Sequence, residues 1–212
     1  MKVRRARLMA LSVSLAVLPA QAFVVGIKNG NDTLYLRVGN APYSGSFANG
    51  DEPPAGTRGP INTVSVAVSP AVVGNGTSQP MTSDATSGTS FYEGFAFCNA
   101  PDEVYVGGFN RKSNNGNGNG GNGTLSVAVT APLTNAAGNT IPFSEISWTS
   151  SGNGDGPGQP FASGVFTGGT QTIGTFPFNT WQESCHRFSY LNSTIVAAGT
   201  YTGRVTYTLS VP

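Results

Sequence analysis

Apolar and polar residues alternate with a period of two along much of this chain, and no stretch sustains the 3.6-residue period of a helix. The clearest run is the last. From Thr200 to Val211, Tyr201, Gly203, Val205, Tyr207, Leu209 and Val211 fall on one face, and Thr202, Arg204, Thr206, Thr208 and Ser210 on the other. One greasy and one wet side is the pattern of a strand in an antiparallel sheet. Shorter runs predict strands at Thr33–Val38, Ile61–Val68, Phe91–Cys98, Glu103–Phe109, Thr124–Ala131, Phe143–Thr149, Thr170–Phe176 and Ser184–Leu191. Phe23–Lys28 alternates as well, and Asn29-Gly30-Asn31-Asp32 follows it; Asn-Gly supplies positive φ, so a hairpin to the Thr33 strand is expected.

Pro, Gly and Asn clusters separate the runs. About nine or ten strands without helices predict an all-β, antiparallel β-sandwich of Ig-like, Greek-key or jelly-roll type. The low-complexity stretch 114–123, made of Asn and Gly, has no apolar side chain to bury and reads as a flexible surface loop. Ser150–Gly158 reads as a second polar loop. No strong boundary divides residues 23–212, so a single domain is expected there.

The first 22 residues follow a different pattern. Lys2, Arg4, Arg5 and Arg7 precede an apolar stretch from Leu8 to Leu18, and Ala20-Gln21-Ala22 closes the segment. A basic start, a short apolar run and an Ala-x-Ala site predict a secretory signal cleaved between Ala22 and Phe23. The apolar run is shorter than the roughly 20 residues that a membrane span needs. The mature chain is therefore expected to carry no integral membrane segment and to be secreted, periplasmic or displayed at the cell surface. Seven basic residues then remain against ten acidic ones, a net charge of −3. A sparsely charged, mildly acidic protein offers no electrostatic case for nucleic acid. Cys98 and Cys185 are the two cysteines, and an even count in an exported protein predicts a disulfide between them.

Candidate chemistry is thin. The one histidine, His186, follows Cys185 in a predicted strand; with Cys185 inward, His186 is expected to face solvent. No Gly-x-Ser-x-Gly elbow occurs, and one His with two cysteines expected to be bridged cannot supply the three or four ligands of a zinc site. Glu93, Asp102, Glu103, Glu145 and Glu183 are the carboxylates available to a hydrolase, and they read as ordinary surface acids. Asn153, Asp155 and the pair Asp102-Glu103 are the oxygen donors nearest to a calcium pattern. No catalytic residue, metal site or cofactor is expected, and the chain does not read as an enzyme. Trp148, Trp181, Tyr35, Tyr43, Tyr92, Tyr105, Tyr190, Tyr201 and Tyr207 are candidates for a sugar-stacking platform, although aromatics at strand spacing usually belong to a core.

The tail Ala198-Gly199-Thr200-Tyr201 through Val211 resembles the final strand of bacterial pilin-like domains, of spore-coat-U type and of fimbrial subunits. The segment Ile146-Ser147-Trp148-Thr149-Ser150-Ser151-Gly152 resembles segments of a group of exported bacterial β-sandwich proteins. The pilin resemblance implies assembly by strand donation, which needs a free N-terminal arm. The expected hairpin would occupy that arm. The sequence thus predicts a non-catalytic exported surface or fimbrial-like protein, structural or adhesive, whose partner is another copy, a surface glycan or a protein. A secreted carbohydrate-binding module is the alternative, and a hydrolase a more distant one.

Overall fold

The computed structural model describes residues 24–40, 62–90, 92, 94–113, 121–153 and 158–212. The predicted signal segment with its Ala22–Phe23 cleavage site, and most of the Asn/Gly stretch, lie outside these residues. Thirteen strands and no α-helix occur among the described residues. In chain order they are β1 (Val24–Gly26), β2 (Thr33–Val38), β3 (Val64–Ser65), β4 (Gln79–Pro80), β5 (Thr82–Ser83), β6 (Val104–Arg111), β7 (Gly123–Thr134), β8 (Thr140–Ile141), β9 (Ile146–Ser151), β10 (Gly164–Val165), β11 (Thr170–Phe176), β12 (Thr180–Tyr190) and β13 (Thr202–Ser210). The chain is all-β and sandwich-like, as the alternation predicts.

The larger sheet runs β10-β9-β12-β6-β2, and β1 and β4 also pair with β12. Eleven-residue β12 lies at its centre. Residues 180–182 pair with both β6 and β1, and residues 189–190 with both β9 and β4. A strand has two hydrogen-bonding edges, so β6 and β4 share one edge and β9 and β1 the other. The smaller sheet runs β11-β7-β13, with β8 extending β7. Its inner face carries Leu125, Val127, Ile173 and Phe176. These pack against Val104, Val106, Ile146, Trp148 and Phe188 of the larger sheet to form the main core. Burying such side chains contributes roughly 1.5–3 kcal/mol each.

A second core lies on the opposite face of the larger sheet. Ile27, Tyr35, Phe97, Cys98, Tyr105, Phe109, Trp181 and Cys185 form it. It is covered by the described residues among 85–98, of which Ala85, Ser90 and Phe97 are buried. The Cys98–Cys185 disulfide ties this cover to β12. The larger sheet is therefore buried on both faces, a third layer that a simple two-sheet reading does not contain.

The predicted strands Thr33–Val38 and Thr170–Phe176 match β2 and β11. Of the predicted strand Ile61–Val68, residues 62–68 are described and keep the alternation, with Val64, Val66 and Val68 packed on the main core, but only Val64–Ser65 joins a ladder. Of the predicted strand Phe91–Cys98, the described residues 92 and 94–98 belong to the cover and make only an isolated bridge, Ala96 to Thr89. Phe143–Glu145 forms a 3-10 turn before β9 begins. Gly123, placed in the flexible loop by sequence, is the first residue of β7. The hairpin from β1 to β2 does not form either. β1 pairs with β12, and β2 pairs along its whole length with β6. The Asn-Gly turn is local, whereas the β2–β6 register sets Tyr35 beside Phe109 and Arg37 beside Gly107 on the covered face. That long-range packing prevails over the turn signal.

Candidate functional site: a charge–aromatic layer beneath the disulfide

The registers of β2, β6 and β12 put Arg37, Gly107 and Glu183 in one row across the sheet. The next row holds Tyr35, Phe109 and Trp181. Gly107 has no side chain, so the Tyr105 ring folds over it. The Tyr105 hydroxyl donates a short hydrogen bond to Glu183 Oε2. Trp181 Nε1 donates to the same carboxylate oxygen at 2.9 Å. The Arg37 guanidinium lies over the Tyr105 ring, 4.3 Å from its centroid. It also donates to the cover, from Nη1 to Thr89 O at 2.7 Å and from Nη2 to Ser87 Oγ at 3.2 Å, and its Nε reaches Gly39 O at 2.8 Å.

Each charge is thereby hydrogen-bonded or stacked within the protein, which is the condition for burying it. Burial and the Glu183 charge hold the Tyr105 hydroxyl well above its ordinary pKa, so it stays a donor. Burial pulls the Arg37 guanidinium down from its usual range. Tyr105, Glu183 and Trp181 have no exposed surface. A reacting group needs contact with a substrate; these polar atoms contact one another and the cover. The arrangement does mechanical work, fastening the covering segment to the sheet.

Gly107 is the position on which the layer depends. A Cβ there would lie 2.8 Å from Tyr105 Cζ and 2.9 Å from Glu183 Cβ, and closer still to the tyrosine hydroxyl. Gly107→Ala is expected to lower stability by roughly 1–3 kcal/mol through overpacking. It should also alter the near-ultraviolet circular dichroism of Trp181 and Tyr105. An unchanged spectrum and urea midpoint would refute this account of the layer.

Two sequence readings need correction here. His186 does not face solvent; it is fully buried. Cys185 does point into a core, but so does the opposite face, where His186 packs among Trp148, Phe161, Phe188 and Tyr207. Its Nδ1 lies 3.0 Å from the Tyr207 hydroxyl of the smaller sheet, and its Nε2 has no hydrogen-bond partner among the described residues. Burial lowers its pKa to about 3 and pushes the Tyr207 hydroxyl up.

The carboxylates are not all surface acids either. Besides Glu183, Glu103 is buried and accepts from Asn99 N at 2.8 Å and Ser151 Oγ at 2.9 Å. Glu145 is buried and accepts from Ser193 N at 2.9 Å and from the Ser193 hydroxyl. Among the described candidates Asp102 alone keeps the expected character, in an exposed ion pair with Arg187 at 3.0 Å. Such a pair contributes ~0–1 kcal/mol. Glu93, Tyr43 and Asp155 lie outside the described residues. Among the described residues no group of three or more His, Cys, Asp or Glu side chains is arranged to hold a metal ion.

Trp148 and Trp181 are both buried, the first donating to Ala162 O at 2.9 Å. Neither presents a face for stacking a sugar; Tyr92, stacked on Trp181 with centroids 6.2 Å apart, is partly exposed. The second buried layer was missed by sequence, yet a signal existed. Val104-Tyr105-Val106 breaks the alternation with three apolar residues in succession, the pattern of a strand covered on both faces.

What the molecule does expose is the outer face of the smaller sheet. Thr175, Thr124 and Ser210 stand side by side across β11, β7 and β13. So do Thr172, Ser126 and Thr208, and so do Thr170, Ala128 and Thr206. Every position in this grid except Ala128 carries a hydroxyl, and none carries a charge. No described helix is long and apolar enough to cross a membrane. Comparisons with protein-family models, with curated proteins and with solved structures find no match.

Proposed function

We propose that this chain works outside the cytoplasm as a non-catalytic surface protein, fimbrial-like in that it associates through its sheets rather than acting on a substrate. The observation that carries this reading is the contrast between the two sheets. Arg37, Glu183 and His186 of the larger sheet are turned inward, and Arg37 and His186 bond it to the layers on its two faces. The smaller sheet presents an uncharged hydroxyl face that ends in a nine-residue edge strand. Exposed strand edges are templates for pairing with another chain. The disulfide fits an oxidising compartment such as the periplasm or cell exterior.

The test is to express the full chain, leader included, in a bacterial host. Fractionation and protease treatment of intact cells should find it beyond the inner membrane. Size-exclusion chromatography of the purified product should show a monomer giving way to a self-associated species as concentration rises. A product that stays cytoplasmic, or a strict monomer at high concentration, would overturn the reading.

A further inference from the structure

We infer that β13 is the association edge, and that its partner is β13 of a second copy, paired antiparallel about a two-fold axis near Tyr207. The inference rests on the surface-protein reading above and names the contact through which it would operate. One edge of β13 is bonded to β7 from Thr202 to Ser210. Among the described residues no backbone hydrogen bond reaches its other edge. The opposite terminal strand, β11, differs. Ala162 N donates to Ile173 O at 3.0 Å there, and Phe161 forms a bridge with Gly174.

Proteins usually blunt an open edge with charge, proline or a bulge. In β13 these devices are confined to the ends. Arg204 and the bulge lie between Thr202 and Val205, and Pro212 lies past the last residue. Val205–Ser210 between them is uncharged and keeps a regular register with β7.

The sequence is self-complementary about Tyr207. A two-fold pairing there sets Val205 opposite Leu209 and Thr206 opposite Thr208 of the second copy. Apolar residues meet apolar on the inner side, and hydroxyls meet hydroxyls on the outer. Arg204, the one charge in the strand, faces Ser210 rather than its own counterpart. The outer pairs repeat a contact the protein already makes, since Thr130 Oγ1 and Thr206 Oγ1 lie 3.3 Å apart between β7 and β13. The two smaller sheets, of four strands each, would become one eight-stranded sheet, with the hydroxyl face continuous across the join. An isologous pairing of this kind closes on itself, so it predicts a dimer and not a fibre.

Sedimentation velocity on the full chain across a concentration series, with the double variant Thr206→Lys/Thr208→Lys beside it, tests the pairing. Both threonines are exposed on the outer face, so the lysines leave the core intact. They place like charges across the two-fold. The native chain is expected to dimerise, and the variant to need at least tenfold more protein for the same dimer fraction. Thr170→Lys/Thr172→Lys, the same change on β11, should dimerise like the native chain. Hydrogen exchange should slow with concentration within Thr202–Ser210. A β13 variant that dimerises normally, or protection appearing elsewhere, would overturn the β13 pairing while leaving self-association standing. A native chain monomeric at every concentration would overturn both. Should the β13 variant lose its near-ultraviolet signal, exchange on the native chain alone decides the matter.

Discussion

A Cys98→Ala/Cys185→Ala variant is expected to lose about 4–5 kcal/mol of stability, the largest effect of any small change to this protein. The bridge joins residues 87 apart in sequence. Closing a loop of that length removes roughly 4–5 kcal/mol of chain entropy from the unfolded state in the loop-entropy model. Both half-cystines are buried, so truncation also leaves a gap in the second core. The loss should be uneven. Arg37 still fastens the cover at Thr89 and Ser87, but its far end at Cys98 is released from β12. Near-ultraviolet signals from Tyr92 and Trp181, which stack across the cover, should weaken at denaturant concentrations where far-ultraviolet sheet signal persists. Urea unfolding of the variant and of the native chain, each with both probes, gives the comparison. A loss under about 1 kcal/mol would mean that the bridge is incidental to the layer it closes.

Acid should be the second large lever, and His186 its origin. The imidazole is buried, its pKa in the fold is about 3, and the ordinary value is 6.5. The unfolded chain therefore binds a proton at mildly acidic pH that the folded chain refuses. Stability attributable to the neutral ring is complete above pH ~6.5, is lost as pH falls, and is exhausted near pH ~3. The difference corresponds to about 5 kcal/mol over the whole window, of which about 3 is lost by pH 4. Asp32 and Asp84 act in the same direction but lower on the scale. Hydrogen bonds from Ser113 and Lys112 hold the first below its usual range, and those from Asn62 and Thr63 the second. Their contributions are present above the ordinary Asp value near 3.9 and fall only below it. The His186 contribution falls in the interval between pH 6.5 and 4, above that of Asp32 and Asp84. His186→Phe should be less stable at neutral pH, because the Tyr207 hydroxyl loses its partner. Its stability should nevertheless be nearly flat across that interval. A native protein equally stable at pH 7 and pH 4 would contradict the buried neutral ring.

Both predictions rest on β12, and its neighbours show how far the sequence could be read. Period-two alternation located β2 and β11 outright and β13 almost so; in β11 and β13 one face meets water and the contrast is plain. It located β12 but misjudged it. Once Cys185 was taken as inward, alternation could only send His186 outward. The cover over Trp181, Glu183 and Cys185 comes from residues about 90 positions earlier, and nothing local to β12 announces it. The carboxylates failed for the same cause. Glu183 reads as a surface acid until Tyr105 and Trp181 are brought to it by the register of β6 and by Gly107, which leaves the tyrosine ring room to lie flat.

The chain alone determined the class of fold, the cysteine pair and the alternation of the last strand. Each is written in the order of neighbouring residues or in a count of two. Tertiary structure decided which edge is left unpaired among the described residues, which strand the N-terminal segment joins, and that the larger sheet is covered twice. Those outcomes depend on contacts between distant segments. A side chain's environment in a sheet is fixed by what packs on each face, and the periodicity of one strand records only that there are two.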